Sequence, residues 1–180
     1  MIKIFWITLV GLLPLTLLSQ DQVISFKMQA YPTGLIPGIQ WEKNVGVKSG
    51  VILRLGYNWF RHRDLGVHDD ERGDGFGFTI GYRRYFNENR SGWSIALTND
   101  FWWNHVDWYD INASNERVNG ETDITVLQPT AVLGYTFAKD QSLIFTPSLA
   151  FGFEWNVRTD GEPTGEGAIV LAGLTIGKRF

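Results

Sequence analysis

Three sets of side chains in this sequence have types and spacing suited to chemistry. His105 and Asp107 stand two residues apart in "WWNHVDWYD", so an extended strand puts them on one face, where a carboxylate can orient an imidazole as a general base. Asp123 or Thr125 of the next alternating segment can lie beside them, but Ser94 and Ser148 fall on the opposite face of their own segments, so the set lacks a nucleophile. The second set is "HRDLGVHDDERGDG" (62–75), where His62, His68, Asp69, Asp70 and Glu71 offer imidazole and carboxylate to a divalent cation. Its spacing matches no calcium or zinc loop, so a solvated acidic surface is the competing reading. Arg72-Gly73-Asp74 spells a cell-adhesion tripeptide, but three letters recur by chance. Gly73-Asp74-Gly75-Phe76-Gly77 opens no helix and so makes no phosphate cradle. The third set is dispersed: Lys27, Glu42, Arg54, Arg83, Asp100, Glu154 and Arg179 each sit on the polar face of an alternating stretch.

Strands must position all of these. In "SLIFTPSLAFGFEWNVR" (142–158) the odd-numbered residues are almost all apolar, while the even-numbered ones are mostly small or charged, the period of a strand with one greasy face. That period places strands at about 22–31, 35–43, 49–61, 75–86, 92–107, 121–137, 142–158 and 168–180. No stretch has helical periodicity. Tight turns alternate with longer loops at 62–74, 108–120 and 159–167, although the first connection, Pro32-Thr33-Gly34, is short. Even strand number with short turns at one end and loops at the other predicts an all-β fold, an eight-stranded antiparallel up-and-down transmembrane β-barrel.

The two faces exclude a soluble barrel. A water-facing surface would be rich in long Lys and Glu side chains, yet the polar face is mainly Gly, Ser, Ala and Thr with isolated charges. That composition suits the crowded interior of a small barrel, with the apolar face turned to lipid. Trp59, Trp103 and Trp155 fall near the loop ends, and Trp41, Trp93, Phe86, Phe137 and Phe180 near the turn ends, as two interfacial girdles require. Charges facing a narrow lumen must pair, which predicts a plug, with a narrow ion path as the alternative. Pro129 and Pro147 fall inside strands, where each removes a ladder donor and predicts a bulge or weak point.

Composition agrees. The absence of cysteine rules out disulfides, thiol catalysis and cysteine-based metal sites, and a formal charge of −3 without a clustered basic face argues against nucleic-acid partners. Residues 1–19 read as a signal peptide, with Lys3 ahead of the apolar run Ile4 to Leu18, which leaves 20–180 as the barrel domain. The long-loop side carries an excess of acid, including Asp69, Asp70, Glu71, Asp110 and Glu116, and this predicts diffuse, weak binding of Mg²⁺ or Ca²⁺.

"GFGFTIGYRRYF" (75–86), "TDITVLQPTAVLGYTF" (122–137) and "GEGAIVLAGLTIGKRF" (165–180), with its final aromatic, resemble the strands of small eight-stranded outer-membrane barrels. That group includes the transmembrane domain of outer-membrane protein A, the X-type barrels and barrel-domain proteins of Bacteroidota. The resemblance implies residence in the outer membrane of a Gram-negative bacterium and contact with its lipid. It also implies insertion by the barrel assembly machinery through the strand ending in Phe180, a monomer, no cofactor and no shared catalytic residues. The expected role is a non-enzymatic one, structural or through loop-mediated binding, in the cell envelope. The alternative is a lipid-modifying enzyme, like the lipid A deacylases, using His105, although the Ser at His-x-Ser spacing is missing. A narrow channel is a second alternative.

Overall fold

The computed structural model describes residues 22–63, 66–139 and 142–180; the expected signal peptide lies outside them. Eight strands follow in chain order: β1 (Gln22–Tyr31), β2 (Gly34–Gly46), β3 (Ser49–Arg63), β4 (Asp70–Tyr85), β5 (Gly92–Ile111), β6 (Arg117–Lys139), β7 (Leu143–Asp160) and β8 (Gly167–Arg179). Each pairs antiparallel with the next, and β1 pairs with β8 to close the ring. Closure leaves no edge strand, so the backbone groups of the wall pair along ladders rather than with water.

Side-chain parity follows the expected faces. Leu55 and Leu97 are each 71% exposed and Phe151 is 62% exposed, all on the outside, whereas Ser25, Thr79, Ser94, Thr130 and Thr175 are buried within. Large apolar side chains this exposed are stable only against lipid. Trp59, Trp103 and Trp155 ring one end of the exposed apolar belt, and Trp93, Phe86, Phe137 and Phe180 the other. Trp41 is half-buried and donates to Gln22 Oε1 at 2.8 Å.

Two of the three expected long loops are more than half strand. β4 begins at Asp70, β5 runs to Ile111 and β6 starts at Arg117, so the loop expected over 108–120 shrinks to 112–116. Beyond the lipid the outer face meets water, so the apolar alternation fades while the hydrogen-bonded ladder continues. The barrel is consequently lopsided: β1 has 10 residues and β6 has 23, so β4, β5 and β6 form a tall wall opposite a low rim at the β1–β2 turn.

The interior is less uniformly small and polar than its sequence face suggests. Trp102 is 1% exposed and fills the bore among Ile36, Ile52, Val106, Val126 and Leu171. Glycine makes room for it: a Cβ at Gly77 would stand 2.3 Å from the Trp102 ring. Both prolines disturb one ladder. Between β6 and β7 the pairing jumps from Leu127↔Trp155 to Thr130↔Gly152 beside Pro129, and from Gly134↔Ser148 to Phe137↔Phe145 beside Pro147, with a bulge at Thr125/Val126.

Candidate functional site

Alternation along β1 to β5 turns Lys27, Glu42, Arg54, Arg83 and Asp100 into the bore, and four of them form two buried ion pairs. Arg54 donates to Asp100 Oδ1 at 2.9 Å and to Thr79 Oγ1 at 2.9 Å, and also to Gln29. Asp100 accepts from the Thr79 hydroxyl as well. Arg83 donates to Glu42 Oε2 at 2.6 Å, and the Tyr85 hydroxyl donates to Glu42 Oε1 at 2.9 Å. With further hydrogen bonds on each ion, the arrangement meets the condition under which a buried pair persists. Lys27, 4% exposed, lies in the field of both pairs but makes no ion pair among the described residues. Arg179 takes no carboxylate among the described residues either: it closes the turn end of the lumen by donating to the carbonyls of Asn89 (3.1 Å) and Arg90. Glu154 sits at the opposite mouth, in the field of His62, Glu71 and Glu166, again without an ion pair among the described residues.

The five residues of the expected cation loop do not converge. Glu71, fully buried, accepts from the backbone amides of Val67 (2.9 Å), His68 (3.3 Å) and Gly165 (3.3 Å) and lies 3.1 Å from His62 Nδ1. It therefore ties the β3–β4 loop to the β7–β8 loop. Burial raises the Glu71 pKa, but these hydrogen bonds outweigh it and hold the carboxyl below its ordinary 4.5. His68 stacks on Trp108 at 4.0 Å, with Nδ1 2.8 Å from Asp110 Oδ2 and Nε2 3.0 Å from the Pro163 carbonyl. The His68 contact and the Asp69 amide lower the Asp110 pKa in turn. Asp69 accepts from the Ile111 amide at 2.8 Å. Asp70 is taken by Arg61, 2.9 Å from Nε. These side chains form a latch across the mouth rather than an ion's donor set.

His105 lies on the outer wall, two residues beyond Trp103. Its Nδ1 is 2.7 Å from Asp123 Oδ1, and its Nε2 is 3.8 Å from Asp107 Oδ1. A shallow cavity beside it is lined by Tyr57, Thr125 and Arg158, with no serine among the lining residues, while Ser94 is buried in the bore. Sequence reasoning missed Glu121 as a neighbour of this histidine. His105, Asp107 and Glu121 bring one donor atom each within 4.8 Å of one another. Parity alone puts Glu121 on the face of Asp123, but it stands at the first residue of its expected strand, and the sequence carries no register to set it opposite Asp107.

No sequence family matches the chain, and no curated protein matches it. Solved structures do. The N-terminal β-barrel domain of Pseudomonas aeruginosa OprF is similar over 90% of this chain and 98% of its own, at 17% identity and a TM-score of 0.50. Ail, the attachment invasion locus protein of Yersinia pestis, is similar over 90% of this chain and 100% of its own, at 11% identity and a TM-score of 0.52. Neisserial surface protein A gives 90% and 98%, at 9% identity and a TM-score of 0.52. The closed antiparallel ring, the consecutive strand order and the outward apolar belt give this chain the fold of the small eight-stranded outer-membrane β-barrels.

Proposed function

We propose that the protein is a monomeric barrel of a Gram-negative outer membrane whose lumen is plugged and whose work is done at its outer surface, as a structural or binding component of the envelope. The observation that carries this reading is the bore itself, crossed by the Arg54–Asp100 and Arg83–Glu42 pairs and filled by Trp102. A ring of eight strands leaves room for side chains and little else. The leader at 1–19 directs export, and the strand ending in Phe180 presents the barrel to the assembly machinery. The latch of Glu71 and His68 joins the outer loops into one surface on which a partner can dock. Planar-bilayer recording tests the plug. Purified full-length protein gives no stable conductance at neutral pH; a steady, porin-sized current overturns the reading. A second reading, lipid modification at His105, is favoured by the Asp123 contact on Nδ1, which orients the ring. It requires Thr125 or Tyr57 as a partner hydroxyl, and release of fatty acid from outer-membrane lipid, lost in His105→Ala, is its test.

A further inference from the structure

On the outer wall just beyond the tryptophan girdle, the register sets like charges side by side. Arg61 faces Arg72 across β3 and β4, Arg72 faces Asp107 across β4 and β5, and Asp107 faces Glu121 across β5 and β6. All four are exposed. Directly opposed like charges destabilise a ladder, whereas alternation would stabilise it. The chain instead groups two guanidinium groups on one half of the row and two carboxylates on the other. Asp70 neutralises Arg61, but Arg72 makes no side-chain hydrogen bond or ion pair among the described residues, and neither does Glu121. Beside the row Arg117 stacks 3.9 Å over Tyr109, and Arg72, Arg117, Asp107 and Glu121 line one concavity of about 700 Å³.

The acidic half has a nitrogen donor. His105 occupies the next row toward the membrane, opposite Asp123. The Asp123 contact at 2.7 Å takes Nδ1 and leaves Nε2 turned toward Asp107, 3.8 Å away. An outer carboxylate on one ring nitrogen is how metal-ligating histidines are held. Two ligands of a tetrahedral ion stand about 3.3 Å apart, a distance that these exposed side chains reach by small rotations. Asp123 in turn faces Asp160, another like-charged pair. A cation and an anion set side by side satisfy both halves of the row.

We infer that this row binds a cation-bridged lipid phosphate: a divalent first-row transition cation on His105, Asp107 and Glu121, and a phosphate monoester of an outer-leaflet headgroup on Arg72 and Arg117. Imidazole with two carboxylates leaves such an ion an open position, which a phosphate oxygen fills while guanidinium forks take the others. The source is lipid because the row faces outward, at the height where aromatic girdles meet headgroups.

The inference rests on the chain spanning a membrane, so heat-modifiable gel migration is read in the same samples and reports that premise separately. The full chain is folded into bicelles at pH 8, where imidazole is free to bind metal. Binding of Mn²⁺ is followed by loss of its EPR signal, with protein-free bicelles subtracted. In phosphatidylcholine bicelles wild type binds Mn²⁺, and the double variant Asp107→Asn, Glu121→Gln loses at least about tenfold in affinity, as does the positioning variant Asp123→Asn. Doping with phosphatidic acid tightens wild-type binding about fivefold, and Arg72→Gln abolishes that tightening, measured against the variant's own phosphatidylcholine value. Unchanged Mn²⁺ affinity in the double variant overturns the cation site. Tightening that survives Arg72→Gln overturns the phosphate site, and equal tightening by inorganic phosphate overturns the lipid assignment.

Discussion

Arg54 and Lys27 share one lumen but differ in what surrounds them. Arg54 spends its guanidinium on Asp100, Thr79 and Gln29. Truncating it to Ala leaves Asp100 buried with its counterion gone, and the expected loss is about 3–5 kcal/mol. Lys27 is also buried yet makes no ion pair among the described residues, and in that part of the bore it joins Arg54 and Arg83 against only Asp100 and Glu42. A lone buried ammonium costs more in desolvation than it recovers from a distant field. Lys27→Met, of similar volume, should therefore be neutral or stabilising. Urea unfolding of both variants in lipid vesicles checks the pair of expectations, and equal destabilisation would mean that Lys27 belongs to the network as a full partner. The inward direction of these residues was legible from parity alone. Which acid meets which base was not, because pairing depends on strand register and on how far each side chain reaches across the bore.

At the scale of the strand, the lipid-facing stripe carries the placement in the membrane. Leu149 is 61% exposed at mid-β7, and its neighbour Ser148 points inward against Gly173. Leu149→Arg should cost about 2–4 kcal/mol near the bilayer midplane. Ser148→Arg meets a different obstacle, since the space beside Ser148 is closed by β8, and its cost should not vary with bilayer thickness. Comparing both variants in short-chain and long-chain phosphatidylcholine separates the mechanisms; the same dependence at both positions would sink the assignment of faces. The sequence revealed these faces because lipid demands an apolar residue at every second position. It concealed the upper parts of β4, β5 and β6, where Arg72, Asp107 and Glu121 are exposed beyond the apolar belt and no apolar stripe marks the strand. The latch was concealed too: Asp110, Pro163 and Gly165 meet His68 and Glu71 only after closure of the ring brings distant loops together.

For the molecule as a whole, the barrel wall and the mouth answer to different forces, and acid should separate them. The ladder hydrogen bonds and the lipid contact of the wall do not titrate. The mouth is held by carboxylates: Glu71 gathers the Val67, His68 and Gly165 amides and His62, with Glu154 within its field, and Asp110 holds His68 and the Asp69 amide. Both carboxyls have folded pKa values below their ordinary ones, 4.5 for Glu71 and 3.8 for Asp110. The sign follows from linkage. A depressed carboxyl contributes stability that is complete above its unfolded value and is lost as pH falls through its folded value. The latch should thus be intact at pH 6 and loosen below about pH 4.5, with Glu71 setting the upper edge of that window. Amide hydrogen exchange by NMR in nanodiscs, normalised for the intrinsic pH dependence, reads this directly. Protection of the Val67, His68 and Gly165 amides should fall between pH 6 and pH 3.5 as the Glu71 carboxylate takes up its proton. Mid-wall amides such as Leu53 should keep theirs. In Glu71→Gln the same three amides should be poorly protected at both pH values, without the wild-type dependence on pH. Equal protection at both pH values in wild type would show that packing of Trp108 against His68, rather than the carboxylates, closes the mouth.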